Sequence, residues 1–499
     1  MEGYLILIGF GVVFITLSVV MAKKYPVQGV EDFLVAGRKI PFGIISASIM
    51  VAWIWSITLM GAAEAVVWYG IGGAFAYAFG SFVPFLILVP IVLRMRKVMP
   101  HGTTFLEFVE QRFGRGMQKI LFVFAILVAL YLSVSQMMGI AYFISVNYQI
   151  SYSMVVILVT IIITLYIAIA GFRGSIINDV IQFFFISVGV FIFITILLVK
   201  FTPAAIYEGF KDAVVNEQNA NYNPDGLNLF APGAVRYFII CLVICLGYVL
   251  FDQGYYSKAL ATINSKSLLI AYLLGTLVAW APIPIIVGNV LGGIGVATEL
   301  AVGGGQITVS SEIAPYIFGQ AFPGFGILLF GIVVFMAGMT TAGNALVGLQ
   351  AILVVDFQEK FLKKKSTEIE RAKYSQRATL VFGLIVMIIA LSLKGVSILY
   401  LDIMTGIVFA APVAAFVAGM FSNRITPKVA ILSVILGVIG GVTSYILVKD
   451  PDIDYFVGNV VSLVVPIVVI FLGSLFSKER FDFGKLEEYR PAHKIASEE

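Results

Sequence analysis

The chain has 499 residues, of which 60% are apolar and only 12% are charged. A soluble protein of this length has too little interior to bury so much apolar surface, so a soluble globular fold is excluded. The net charge of +4 is small and the basic residues lie between apolar runs, which argues against a nucleic-acid-binding surface.

Apolar runs of about 20 residues, long enough to cross ~30 Å of hydrocarbon as a helix, recur along the whole chain. We predict thirteen membrane spans, and hence an all-α integral membrane protein. A short apolar pattern at 296–321 also fits a small helix between spans 8 and 9. The approximate limits of spans 1 to 13 are 4–22, 41–67, 73–93, 118–146, 152–170, 176–199, 236–254, 267–295, 322–353, 378–393, 396–421, 427–447 and 455–476.

Basic residues predict the orientation of the chain, because cytoplasmic segments of membrane proteins carry an excess of Lys and Arg. With the N-terminus outside and the C-terminus inside, the cytoplasmic segments are 23–40, 94–119, 171–175, 255–268, 354–377, 422–428 and 477–499. They hold every Lys and Arg of the chain except Lys200, Lys211, Arg236, Lys394 and Lys449. A missing or extra span would destroy this asymmetry, so the asymmetry supports thirteen spans.

Two predicted spans carry polar groups at depths where lipid makes them costly, and such groups call for a reason. Span 9 contains Thr340, Thr341 and Asn344 near its middle. The threonines either bond back to carbonyl groups of their own helix or supply hydroxyl oxygens to a small cation, with carbonyl oxygens of an interrupted helix completing the site. The polar and tryptophan residues of span 2 are Ser46, Ser48, Trp53, Trp55, Ser56, Thr58 and Glu64.

Four stretches stand out in chain order: Asp32–Arg38 before span 2, Gly171–Gln182 between spans 5 and 6, Asp252–Ala261 after span 7, and the pair Thr340–Thr341. Each is a weak signal alone. Together, in register on thirteen spans from about residue 30 to about residue 425, they resemble the sodium:solute symporter family. The resemblance implies sodium-coupled symport of a small polar solute by alternating access, in the plasma membrane.

The resemblance also implies a LeuT-type fold, in which two repeats of five helices have inverted topology. Extra helices are expected at both ends of the chain. The expected segments are 1–40 (N-terminal helix and cytoplasmic loop), 41–200 (first repeat, spans 2–6), 201–235 (external loop), 236–425 (second repeat, spans 7–11), 426–476 (two C-terminal helices) and 477–499 (cytoplasmic tail).

For the sodium ion, the resemblance implies two carbonyl ligands from span 2 and a carbonyl with two hydroxyl ligands from span 9. By alignment these positions are Val51, Ile54, Ala337, Thr340 and Thr341. Asp179 matches an acidic residue near the inward sodium exit of the family; alternatively, it is an ordinary carboxylate at the start of a helix.

For the solute, the resemblance implies a site between spans 2, 3, 7 and 11. Tyr248 falls where related sugar carriers have an aromatic inner gate; alternatively, it is a core aromatic residue with a satisfied hydroxyl. Asp402 is either a polar solute contact or a surface carboxylate near a helix end. Small or apolar residues at Ala76, Gly80 and Cys245 argue against a sugar. The implied solute positions are Trp53, Ser56, Thr58, Tyr77, Tyr248 and Asp402.

The branch of the family that includes urea and polyamine permeases is the most similar one. The segments Trp53–Thr58, Thr103–Glu107 and Asp252–Gln253 carry this resemblance. The two tryptophans of the first segment either clamp a small planar solute or pack against their surroundings.

Two other functions stay open. A proton-coupled carrier of the same fold would use Glu64 or Asp402 as its proton site. A membrane sensor built on a transporter scaffold is a more remote alternative, and the short tail argues against it. An enzyme is not expected, because no nucleophile–base pair or cofactor motif is visible. The expected partners are a sodium ion, a small solute and the lipid bilayer, with no nucleic acid and no bound cofactor.

Overall fold

The computed structural model describes residues 2–24, 35–300, 302, 307–322, 324–362 and 367–491, so the first three residues of the motif that begins at Asp32 lie outside it. The described residues are nearly all helical. Eleven continuous helices among them are long and apolar enough to cross a membrane. They are Gly3–Lys24, Ile71–Val98, Phe105–Tyr148, Tyr152–Ile169, Gly174–Lys200, Pro232–Phe251, Ser265–Ala297, Gly326–Phe361, Glu370–Ser392, Pro427–Leu447 and Asp454–Phe476.

Two further spans each consist of two helices joined by a short break. Phe42–Trp53 and Ser56–Tyr69 form span 2 and meet at an angle of 50°, while Ile398–Phe409 and Val413–Phe421 form span 11 and meet at 52°. Counting each bent pair as one span gives the thirteen spans that the sequence predicts.

Glycines in left-handed backbone separate two pairs of neighbouring spans. Gly171, with φ 59°, lies between spans 5 and 6, and Gly395, with φ 83°, lies between spans 10 and 11. Glycine adopts these angles without the steric penalty that a β-carbon would bring. The helix is therefore interrupted at both places, and the predicted division between spans 10 and 11 is confirmed.

Spans 2 and 7 are both interrupted in the middle of the bundle. Span 2 leaves the helical conformation at Ile54, with φ −82° and ψ 90°. Span 7 ends at Phe251, and after Asp252, with φ −87° and ψ 106°, the chain continues in the short helix Gln253–Ala261. Each predicted repeat thus begins with an interrupted helix, which is where transporters expose backbone groups to their ligands. The domain boundaries given above stay a prediction.

The short helix after Asp252 lies very close to span 9. A β-carbon at Gly254 would collide with Asn344, and one at Gly348 would collide with the backbone of Gly254. Glycine at these two positions therefore permits the close approach of the two helices. The approach brings the side chain of Asn344 to the carboxylate of Asp252.

A small helix is present in the stretch between spans 8 and 9, as the apolar pattern there predicts. It runs over Ile313–Ala321 and follows a single 3₁₀ turn at Ser310–Glu312. Ser310 and Ser311 are buried, so this segment packs onto the bundle.

Candidate functional site

Side chains stabilise the break in span 2. The Thr58 hydroxyl accepts a hydrogen bond from the N–H of Trp55 at 3.1 Å and donates one to the carbonyl of Trp53 at 3.3 Å. Gln136 of span 4 accepts from both the N–H and the hydroxyl of Ser56, each at 2.9 Å. These contacts satisfy N–H groups at the start of Ser56–Tyr69, the outer helix of span 2. The carbonyl groups of Val51 and Ala52, near the end of the inner helix Phe42–Trp53, bond elsewhere.

Those carbonyl groups meet the two threonines of span 9. The Thr340 hydroxyl donates to the carbonyls of Val51 at 2.8 Å and Ala337 at 2.9 Å. The Thr341 hydroxyl donates to the carbonyls of Ala52 at 3.1 Å and Ala337 at 3.2 Å. All five residues are buried. We call these five residues the hydroxyl-pair site.

The hydroxyl-pair site contains four of the five predicted sodium positions and adds the carbonyl of Ala52. The fifth, Ile54, lies in the break, where its N–H donates to the carbonyls of Met50 and Val51. Each threonine hydroxyl bonds back to its own helix and also reaches across to span 2. The predicted back-bond to the threonines' own helix is therefore present, and the binding of a cation by the two hydroxyls stays a prediction.

A second group of buried side chains lies beside the indole of Trp55. The ring of Tyr248 is 5.7 Å from that indole and stacks on the ring of Tyr131 at 4.8 Å. Both tyrosine hydroxyls donate to Oδ1 of Asp402, at 2.6 Å from Tyr131 and 2.8 Å from Tyr248. The Thr405 hydroxyl bonds to that of Tyr248. We call Tyr131, Tyr248, Asp402 and Thr405 the tyrosine–aspartate cluster.

The other predicted solute positions lie around the same break and are buried. The rings of Trp53 and Trp55 are 4.8 Å apart, edge to face. Their indole N–H groups are buried and have no hydrogen-bond partner among the described residues. The Tyr77 hydroxyl interacts with the hydroxyl of Thr58. Asp402 is only 6% exposed, so its interpretation as a surface carboxylate is wrong.

Span 4 contributes two residues that the sequence interpretation leaves out, Tyr131 and Gln136. Both lie in the middle of a predicted span, close to Ser133 and Ser135. Polar residues at that depth are the signal that would have found them, because lipid-buried polar groups need a partner or a function. The sequence does not show which other spans they contact.

A cluster of charged and polar side chains lies on the predicted cytoplasmic side of the hydroxyl-pair site. The Lys258 ammonium is 3.4 Å from Oδ2 of Asp179 and donates to the carbonyl of Ser48 at 2.9 Å. The Ser48 hydroxyl also donates to Asp179, and the Asn344 amide donates to Asp252 at 2.6 Å. We call these five residues the inner charged cluster. Asp179 is paired and buried, unlike an ordinary helix-start carboxylate.

Glu64 lies in the outer helix of span 2, about 9 Å along the helix axis from Thr58. Its buried carboxylate accepts hydrogen bonds from three serine hydroxyls. Ser310 and Ser311, the latter at 3.0 Å, come from the turn before the small helix, and Ser397, at 2.6 Å, begins span 11. Glu64 therefore joins three outer segments of the bundle.

A bundle of thirteen spans with interrupted helices around buried polar groups defines a multi-pass membrane transporter. A solved structure of a Na⁺-coupled sialic acid symporter in a substrate-bound outward-open state has the same fold. It matches with a TM-score of 0.71 and 16% identity, over 96% of this chain and 99% of that chain. The fold is thus the LeuT type that the sequence predicts.

The chain belongs to the sodium:solute symporter family, whose family model matches residues 33–437. A curated relative named "Probable urea active transporter 1", from Schizosaccharomyces pombe, is 26% identical over 97% of this chain and 78% of its own length. The "Urea-proton symporter DUR3" of Oryza sativa subsp. japonica is 23% identical over 97% of this chain and 72% of its own length. The chain is therefore a symporter and not an enzyme.

Proposed function

We propose that this chain is a sodium-coupled symporter of urea that works by alternating access without a bound cofactor. The observation that carries the proposal is the hydroxyl-pair site, where two hydroxyls of span 9 meet backbone carbonyls at the break in span 2. Uncharged oxygen atoms suit a small cation at this depth, because they bind it without a permanent buried charge that would need its own partner.

Sodium would bind by replacing hydrogen bonds that are present in the structure. Each threonine hydroxyl joins one carbonyl of span 2 to the carbonyl of Ala337, at distances between 2.8 and 3.2 Å. A hydroxyl hydrogen rotates freely, so both hydroxyls can turn a lone pair toward an ion. Three carbonyl and two hydroxyl oxygens would then bind one sodium ion and tie span 9 to the inner helix of span 2.

Urea fits the chemistry beside the break. It is planar, it has one carbonyl acceptor, and its amide N–H groups are donors, as in Asn and Gln side chains. The indole N–H groups of Trp53 and Trp55, which lack a hydrogen-bond partner in the part of the chain that the structure describes, are buried donors that suit a carbonyl oxygen. The Asp402 carboxylate, beside the stacked rings of Tyr131 and Tyr248, suits the amide N–H groups. The names of the two relatives support the same solute.

The break couples the two ligands, because Ala52 of the hydroxyl-pair site directly precedes Trp53 in the chain. A sodium ion that binds the Val51 and Ala52 carbonyls would fix the conformation of the break and, with it, the two indoles. Coupling of this kind is reciprocal, so urea should raise the affinity for sodium by the same factor as sodium raises that for urea.

Proton coupling is the second candidate, and two observations favour it. A relative from rice is named a urea-proton symporter. In addition, Glu64 and Asp402 are buried carboxyl groups that accept hydrogen bonds from uncharged hydroxyl groups. A proton carrier needs such a group, whereas the hydroxyl-pair site has none.

Uptake of labelled urea into proteoliposomes tests the proposal. At equal pH on both sides, an inward sodium gradient should drive accumulation, and replacing sodium with choline should abolish it. Accumulation in choline driven by an inward proton gradient would overturn sodium coupling and favour the second candidate. Sodium-driven counterflow of another solute, with none of urea, would overturn the choice of solute alone.

A further inference from the structure

The inner charged cluster lies between the hydroxyl-pair site and the predicted cytoplasmic side. Ser48 is nearly one turn before Val51 in span 2, and Asn344 is about one turn after Thr340 in span 9. One turn of helix is about 5.4 Å long. A cation that leaves the hydroxyl-pair site inward therefore meets this cluster first.

The cluster contains two carboxylates and one ammonium group, and all three are buried. The exposed fractions are 1% for Asp179, 2% for Lys258 and 4% for Asp252. Its formal charge is therefore negative, in a place where unpaired charge is costly. Oδ1 of Asp179 has no hydrogen-bond partner within the described part of the chain, so Asp179 could bind a cation if the Lys258 ammonium were absent.

Lys258 also belongs to the segment that contacts the hydroxyl-pair site. Its ammonium lies 5.9 Å from the centre of the Tyr255 ring, and the Tyr255 hydroxyl donates to the Ala52 carbonyl at 3.4 Å. The short helix Gln253–Ala261 therefore brings a fixed positive charge close to the path of the ion. A sodium ion beside Asp179 would have to share that carboxylate with the ammonium.

We propose that Lys258 is a positioning residue for sodium release: its tethered ammonium occupies the cation position beside Asp179 and so prevents sodium from being held there. The inference rests on the proposed sodium coupling and adds the residue that sets how sodium leaves. With Lys258 in place, Asp179 already has a counter-ion, and the departing ion is bound only weakly. Without it, the buried carboxylate of Asp179 would lack a counter-ion and would hold a departing sodium ion more tightly.

The test is sodium binding to purified protein, followed through tryptophan fluorescence, since Trp53 directly follows Ala52 and Trp55 lies in the same break of span 2. Lys258→Met should lower the sodium concentration for half-saturation by about fivefold or more, because Asp179 loses its counter-ion. The same variant should also slow urea uptake. Asp179→Asn should raise the sodium concentration for half-saturation, because the Lys258 ammonium is then unpaired and repels the ion. In the variant that combines Lys258→Met with Asp179→Asn, the sodium concentration for half-saturation should lie within about twofold of the wild-type value.

Lys266→Met is the matched control, since it removes the same charge from an exposed position of a neighbouring helix and should leave sodium binding unchanged. A lysine that only anchors the fold predicts weaker sodium binding in both single variants, and that result would overturn the inference. If Lys258→Met does not fold, the double variant decides: sodium binding within about twofold of the wild type supports the inference, and clearly weaker binding overturns it. A wild type without any sodium response would instead overturn sodium coupling, and this inference with it.

Discussion

The hydroxyl-pair site and the tyrosine–aspartate cluster meet the same break in span 2, but they are built from different parts of the chain. The hydroxyl-pair site takes three of its five oxygens from backbone carbonyls and carries no formal charge. The cluster is built from side chains: two tyrosine hydroxyls donate to the single carboxylate of Asp402, and the Thr405 hydroxyl bonds to that of Tyr248.

This difference indicates which substitutions each region tolerates. Backbone ligands keep their position when a side chain changes, so Val51 and Ala52 can be replaced by residues of similar size as long as the break is kept. A cluster of side chains changes with every substitution. We therefore expect the ion specificity to depend on the conformation of the backbone and on two threonines, and the solute specificity to depend on Tyr131, Tyr248 and Asp402.

The largest expected effect comes from the two side-chain ligands in the hydroxyl-pair site. Thr340→Ala and Thr341→Ala should each raise the sodium concentration for half-maximal urea uptake by about tenfold or more. Each variant removes one hard oxygen, and the buried surroundings supply no substitute. Urea uptake at a series of sodium concentrations in proteoliposomes measures the effect.

Thr340→Ser and Thr341→Ser are the matched controls, since they keep the hydroxyl and remove only a methyl group. Their sodium concentrations for half-maximal urea uptake should lie within about threefold of the wild-type value. Normal sodium dependence in both alanine variants would mean that the threonines only bond back to Ala337. The hydroxyl-pair site would then not be the region that binds the ion.

The spans could be predicted from the sequence because lipid imposes a strong and simple constraint. A run of apolar residues must be long enough to cross the bilayer, and the basic residues mark one side of it. The interruptions of spans 2 and 7 were harder to predict. Neither Ile54–Trp55 nor Asp252 lies in a glycine- or proline-rich stretch, so local propensity gives no warning. Tertiary contacts, such as that of Gln136 with Ser56, stabilise the break in span 2.

The candidate site could be predicted from the sequence only where its residues lie within a motif or, like Tyr248 and Asp402, match a position of the family. Thr340 and Thr341 are adjacent in sequence and carry their own signal. Tyr131 and Asp402 meet across 271 positions of the chain, and no pattern in either span indicates the other. Lys258 lies within a motif that the sequence singles out, but its role depends on Asp179, which comes from another span.

An intermediate effect is expected in the tyrosine–aspartate cluster. Asp402→Asn should raise the KM for urea by about fivefold to tenfold, because an amide still accepts a hydrogen bond but loses the charge that strengthens it. The half-saturation concentration for sodium should change much less. A cationic solute would suffer a far larger loss, since its charge would be left unpaired in a partly dry site.

Tyr248→Phe separates the carboxylate from the hydroxyl groups that orient it. The phenylalanine ring can keep the stacking on Tyr131, while Asp402 loses one of its two tyrosine donors. The KM for urea should therefore rise by less than in Asp402→Asn. Unchanged solute affinity in both variants would show that the solute binds on another face of the bundle.

The smallest expected effect is that of Glu64→Gln, which lies outside both regions and tests whether the ion is bound at the hydroxyl pair. Under sodium coupling, the variant should keep sodium-driven uptake within about threefold and lose some thermal stability, because three serine hydroxyls would donate to an uncharged amide instead of a carboxylate. Ser310→Ala should also lower the melting temperature, since it removes one of the three hydrogen bonds to Glu64. Uptake at several external pH values supplies the decisive comparison. A pH dependence of uptake that is present in the wild type and absent in Glu64→Gln would mean that Glu64 carries a coupled proton. Sodium coupling would then be overturned in favour of proton coupling.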